Sequence, residues 1–302
     1  MIYSPAREKR KNLPADIKGL WTPPPLSRRG FMSASGAAAA GYALSAGPVR
    51  AEAIRTDTAG LTTGEARVAV TGGQMPVYFA RPEKAANPPV VLVAMEALGL
   101  HEYIRDVVRR LAKAGAFAVA PDYYFRSGVD LPAQTDFSKV FPVVNAKPDA
   151  EMIADLDATV AWAKAEGGDV ARLGMVGFCR GGRAVWQYSA SAHPPKAGVA
   201  FYGPTEDPPE QKAIWPKSAL DQAADMKAPV LGLYGEADQG ILVMQVEEMQ
   251  DKLKEAGKTA EFVIYPGAPH GFHADFRSSY RKEAAEDAWA RTLAWFRKHG
   301  VL

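Results

Sequence analysis

Three residues far apart in the chain, Cys179, Asp238 and His270, are of the types that nucleophilic catalysis at a carbonyl requires. A thiol attacks as its thiolate, an imidazole takes up and returns the proton, and a carboxylate orients the imidazole and stabilises its cation. Cys179 lies in Leu173 to Gly182, LGMVGFCRGG, where a short apolar run passes through Gly177 and Phe178 into the cysteine. Ala184, Val185, Trp186 and Tyr188 then continue at helical spacing. The pattern reads as strand, sharp turn, helix, and the flanking glycines let neighbouring backbone approach without a Cβ clash. Taken alone, the decapeptide fits a buried structural cysteine equally well, because free Cys is among the most buried residue types.

The partners come later in the chain, each beyond an apolar run. Val230 to Tyr234 ends in Gly235-Glu236-Ala237-Asp238, and Phe262 to Tyr265 ends in Pro266-Gly267-Ala268-Pro269-His270-Gly271-Phe272. Both therefore place a polar side chain in a loop at the end of a strand. Glu236 competes with Asp238 as the acid, and Asp238 is preferred because it stands further into the loop. His273 near His270 suggests a metal pair, but no third ligand accompanies it. No metal and no cofactor is expected.

The elements that must hold these residues alternate. Ala66 to Thr71 and Pro76 to Ala80 flank Gly72-Gly73 as a hairpin. Pro89 to Met95 is a continuous apolar run, as in a strand buried on both faces. His101 to Ala114 has helical spacing closed by Gly115, and Phe117 to Ala120 returns as a strand. Helices over Ala150 to Ala165, Gly181 to Ala192, Val243 to Ala256 and Glu283 to His299 alternate with strands over Leu173 to Gly177, Gly198 to Tyr202, Val230 to Tyr234 and Phe262 to Tyr265. This alternation implies a mostly parallel sheet with helices on both faces. Arg126 to Lys147 and Pro204 to Lys227 read as irregular, pocket-forming loops.

Composition narrows the function classes. With 302 residues, 47% hydrophobic and 23% charged, the chain can build one large α/β domain. Thirty-six basic against 34 acidic residues, scattered, give no field for nucleic acid. A single cysteine excludes an internal disulfide. Residues 1–53 read differently: a basic, proline-rich start, then Arg28-Arg29-Gly30-Phe31, a weakly apolar Ala/Gly/Ser run and Ala51-Glu52-Ala53. That order resembles a twin-arginine export signal, with cleavage after Ala53 and a mature domain over 54–302. The run is too short and glycine-rich for a stable membrane span. A periplasmic home and the twin-arginine export machinery as a partner are expected, with a cytoplasmic one if the signal is not functional.

The Gly-x-Cys-x-Gly turn resembles the nucleophile elbow of α/β-hydrolases, in which nucleophile, acid and histidine follow in that chain order. Over nearly all of 66–302 the chain resembles the dienelactone hydrolase family, the carboxymethylenebutenolidases. The matches are Gly177-Phe178-Cys179-Arg180-Gly181-Gly182, Phe201-Tyr202-Gly203, Gly235-Glu236-Ala237-Asp238, Pro269-His270-Gly271-Phe272, and Met95-Glu96-Ala97 followed by Gly99. The resemblance implies an α/β-hydrolase fold and a hydrolase of small esters or lactones. Glu96 would touch the thiol and help take its proton, its alternative role being a cap for the helix after His101. The backbone N–H groups of Arg180 and Ala97 would form the oxyanion hole, and Tyr202, Arg180 and Arg277 would contact substrate. The family's best-known members bind a substrate carboxylate with an arginine after the fourth strand and another four residues past the histidine. Here the first region offers only Lys139 and Lys147 beyond Arg126, and the second position is Ala274. Thioester or other acyl cleavage on the same scaffold, and a noncatalytic binding protein, are the alternatives.

Overall fold

A computed structural model describes residues 53–302; the signal expected over 1–53 falls outside the described residues except for Ala53. Eight strands form one sheet in the spatial order β1-β2-β4-β3-β5-β6-β7-β8. Its opening hairpin pairs β1 (Leu61–Val70) with β2 (Gly73–Pro82), and β2 runs antiparallel to β4 (Phe117–Pro121). All remaining pairings, among β3 (Pro89–Ala94), β4, β5 (Asp169–Phe178), β6 (Ala197–Phe201), β7 (Val230–Gly235) and β8 (Ala260–Tyr265), are parallel. β3, β4, β6 and β7 are buried along their whole length, which explains why they read as unbroken apolar runs.

Helices α1 (Glu102–Lys113), α3 (Asp149–Ala165), α4 (Arg180–Ser189), α5 (Val243–Glu255) and α6 (Lys282–Lys298) occupy the expected intervals. One element departs from expectation, because α2 (Phe137–Asn145) lies inside the stretch read as a loop. Pro142 within it, and the Asp and Ser residues before it, carry a loop-like composition. The helix forms because Asp136 caps it, accepting the Ser138 N–H at 2.9 Å, and because Val140 and Val144, one turn apart, are buried. By contrast 204–227 holds only two short 3-10 turns, as expected of a loop.

Parallel strands bring their carboxyl ends to one edge of the sheet, and the strand order reverses between β3 and β5. That reversal opens the crevice in which open α/β sheets bind ligands. Ala94 is in register with Gly177, and Phe178 with Phe201. The residues after β3, β5 and β6, namely Glu96, Cys179 and Tyr202, therefore emerge side by side.

Candidate active site

The turn after β5 is set by glycine. A Cβ on Gly177 would collide with the Gly181 carbonyl, and one on Gly181 with the Ala94 carbonyl. With both absent, α4 starts directly against β3 and β5, and Cys179 takes the tight turn at φ 55°, ψ −115°. A non-glycine residue held in that region is strained and is fixed by its surroundings. The fixing bonds are Cys179 N–H to the Phe201 carbonyl, 3.0 Å, and Arg183 N–H to the Cys179 carbonyl, 3.1 Å. Tyr202, next door at the end of β6, is the other described non-glycine residue with positive φ, 37°, and is wholly buried.

Asp238 and His270 leave the ends of β7 and β8, which are in register at Gly235 and Tyr265. The Asp238 carboxylate bonds His270 Nδ1 at 2.7 Å through Oδ2, while its Oδ1 accepts the N–H groups of Gly240 and Ile241 at 2.8 and 3.0 Å. Those two backbone donors fix the carboxylate, and the carboxylate fixes the ring. Cys179 also acts electrostatically on the imidazole. Burial by itself would strip the proton from His270, but the Asp238 and Cys179 charges and hydrogen bonds outweigh it and raise the imidazole to about 10. The competing acid, Glu236, is exposed and accepts the Gly267 N–H at 3.1 Å.

Glu96 is fully buried beside this group, with two donors on its Oε1: Arg277 at 2.6 Å and His101 Nε2 at 3.0 Å. Burial would raise its pKa, but Arg277 and His101 together hold it down, to about 2. His101 is the residue preceding α1, so Glu96 is tied to that helix's entrance by a ring nitrogen and does not cap its backbone. The turn that follows closes with Gly99 N–H to the Glu96 carbonyl at 3.1 Å, Gly99 sitting at φ 74°. Arg277, expected to contact substrate, is buried and committed to Glu96.

Arg180 has a different environment. It donates to the Asn145 side chain at 3.0 Å, and its guanidinium lies 4.5 Å from the centre of the Trp215 ring. Arg183 lies over the same ring at 4.7 Å and forks onto Asp149 and Asp207 at 2.5 to 3.0 Å. Arg183 thus binds α4 to the start of α3 and to the 204–208 loop, whereas Arg180 has a neutral amide as its hydrogen-bond partner. Asn145 and Trp215 escape sequence reading, because each acts on a residue remote in the chain; His101 lies only five residues past Glu96, but nothing in its residue type marks it as that carboxylate's partner. A separate cleft of about 190 Å³ between the first hairpin and Leu100, Leu131 and Pro132 contains none of these residues. Among the described residues no helix is long and apolar enough to cross a membrane.

The family model for the dienelactone hydrolase family matches residues 75–300. A Methylorubrum extorquens protein named "Putative carboxymethylenebutenolidase" is 48% identical over 290 residues, covering 95% of this chain and 98% of the relative. A Bradyrhizobium protein named "Probable 2-oxo-3-(5-oxofuran-2-ylidene)propanoate lactonase" is 34% identical over 240 residues, 79% of this chain and 92% of its own. The crystal structure titled "Putative Dienelactone Hydrolase" from Klebsiella pneumoniae superposes with a TM-score of 0.75 at 45% identity, covering 79% of this chain and 99% of that one.

Proposed function

The chain belongs to the dienelactone hydrolase family and is accordingly a hydrolase of ester or lactone bonds, and we propose that Cys179 opens them by covalent catalysis. The observation that carries this reading is the buried Asp238–His270 bond at 2.7 Å, with the imidazole raised to about 10 by the Asp238 and Cys179 charges. An imidazole of that basicity holds a proton near neutral pH and supports the thiolate beside it.

The thiolate adds to the lactone or ester carbonyl. The oxyanion that forms is received by the backbone N–H groups of Arg180, at the start of α4, and Ala97, in the turn after β3. The first N–H groups of a helix have no acceptor within it, so the Arg180 donor is suited to this task. His270 returns its proton to the leaving oxygen, which in a lactone stays tethered to the acyl group. It then draws a proton from water, whose attack on the thioester releases the acid and restores Cys179.

Glu96 is the proposed auxiliary base for the thiol proton. At about 2 it is a poor base while Arg277 and His101 hold it, so it acts only when those contacts loosen. Tyr202, just past the end of β6, is a proposed substrate contact, its hydroxyl pushed upward chiefly by burial and further by the Glu96 and Cys179 charges. Arg180 is the proposed anchor for an anionic group on the substrate. Arg28 and Arg29 are proposed to direct export to the periplasm. Replacing both with Lys is expected to leave an uncleaved chain in the cytoplasm.

Turnover of a panel of lactones, aryl esters and acyl thioesters, some bearing a carboxylate, tests the assignment. Lactone or ester hydrolysis abolished by iodoacetamide, with one label at Cys179, is the expected result. Full activity after stoichiometric labelling would place the chemistry elsewhere.

A further inference from the structure

The turn 96–101, between β3 and α1, closes on itself three times. The Gly99 N–H donates to the Glu96 carbonyl at 3.1 Å, the His101 N–H donates to the Gly99 carbonyl at 3.0 Å, and the His101 ring reaches back to Glu96 Oε1 at 3.0 Å. A carboxylate can only accept, so the ring carries its proton on Nε2 and donates it. Both ends of the turn are anchored as well: the Tyr123 hydroxyl donates to the Met95 carbonyl at 2.8 Å, and the His101 carbonyl accepts the Arg105 N–H at 3.1 Å. Gly99 permits this path, because its φ of 74° suits glycine and a Cβ there would stand 3.1 Å from the Leu131 side chain. The ring is held too. It stacks on Tyr103 with 6.0 Å between centroids and meets Phe276 edge-on at 5.0 Å, and Phe276 also lies 4.9 Å from the Arg277 guanidinium.

Inside this closed turn lies Ala97. It is buried, and among the described residues its N–H donates to no acceptor. Buried backbone donors almost always have a partner, so an unpaired one in the turn that emerges beside Cys179 is a donor kept for a substrate oxygen. A methyl group gives Ala97 no means of fixing its own peptide plane. Glu96 Oε1 receives Arg277 at 2.6 Å as well as His101, and two donors on one oxygen give the carboxylate a fixed orientation on which the turn can close. We propose that His101 is a positioning residue for the oxyanion hole: by tying the end of the turn to Glu96, it holds the Ala97 N–H at the angle at which the oxyanion accepts it. Glu96 then has a second duty besides that of auxiliary base, as the acceptor that closes the turn. A donor aimed before substrate arrives needs no reorganisation during the reaction, and a misplacement of about 1 Å at such a site costs about a hundredfold in rate.

The inference rests on the hydrolase reading, and a measurement without substrate keeps the two apart. His101→Phe keeps a ring against Tyr103 and Phe276 but loses the donor, whereas the amide of His101→Gln supplies a donor near the place of Nε2. Hydrogen–deuterium exchange of the 97–101 amides is expected to quicken about tenfold in His101→Phe and to stay within about twofold of the parent in His101→Gln. On whichever ester or lactone the parent hydrolyses, kcat is expected to fall about 10- to 100-fold in His101→Phe with KM within about threefold, and to return to within about threefold in His101→Gln. His101→Leu, which also lacks the donor, is expected to behave as His101→Phe does. Alkylation of Cys179 by iodoacetamide forms no oxyanion, so its rate is expected to be the same in all these chains. Unchanged exchange in the Phe and Leu variants overturns the closed turn. Quickened exchange with an undiminished kcat, or with an equal loss of alkylation rate, overturns the link to the oxyanion. A parent that hydrolyses neither esters nor lactones overturns the hydrolase reading, and the oxyanion role with it, whatever the exchange shows.

Discussion

His270 and His273 leave the same loop three residues apart, both are buried, and their protons behave in opposite ways. His270 lies between the Asp238 carboxylate and Cys179 and is raised to about 10. His273 is enclosed by Phe178, Phe201, Tyr103 and Trp289, bonds the Tyr103 hydroxyl through Nδ1 at 2.6 Å, and has Arg110 as its main charged influence. Burial, helped by Arg110, drives it down to about 3. Desolvation acts on both rings in the same direction, so the sign of the neighbouring charge decides which one holds its proton, as the proposed proton carrier must, and which is a packed, neutral hydrogen-bond partner.

The sharpest way to break this contrast is to replace each ring in turn. His270→Gln is expected to lower kcat/KM by about a thousandfold or more, whereas His273→Gln keeps a hydrogen-bond partner for Tyr103 and should stay within about tenfold of the parent. Comparable losses from the two substitutions would mean that position in the loop, and not the charge partner, sets the role.

Asp238→Asn removes the charge that lifts His270 while keeping its size. A drop of about a hundredfold is expected, with the alkaline limb of the kcat/KM profile moving from near pH 10 toward the ordinary histidine range. An unmoved alkaline limb would assign the raised pKa to another group.

Glu96→Gln probes the second carboxylate, whose charge is held by Arg277 and His101. About a tenfold fall at neutral pH is expected of an auxiliary base. Undiminished turnover at neutral pH would reduce Glu96 to a tether between the β3 turn and Arg277.

The smallest effect is on stability, and it too separates the rings. The fold keeps the His270 proton up to about 10, while the unfolded chain releases it near the ordinary value of about 6.5. Its contribution is therefore complete below that value and fades as the pH rises toward 10. His273 stays neutral in the fold down to about 3, so the unfolded chain gains a proton first and stability falls as the pH drops from about 6.5 toward 3. Thermal midpoints across this range should lose their alkaline decline in His270→Gln and part of their acid decline in His273→Gln. Parallel curves for all three proteins would refute both assignments.

The sequence alone determined the alternation of strands and helices, the glycine-flanked cysteine turn, and the placing of Asp238 and His270 just past strand ends. Those features are local, because a buried parallel strand needs an apolar run and a tight turn needs residues without a Cβ. The helix over Phe137–Asn145 stayed hidden because its stability comes from burying Val140 and Val144 against a core built elsewhere. Only the tertiary structure decided that Arg277 grips Glu96 and that Arg180 meets Asn145 and Trp215. Each of these contacts joins different elements through strand register and helix packing, and a charged side chain carries no mark in the sequence of the partner it will meet. The opposite fates of His270 and His273 have the same origin: one loop sequence supplies both rings, and the elements packed around them supply the charges.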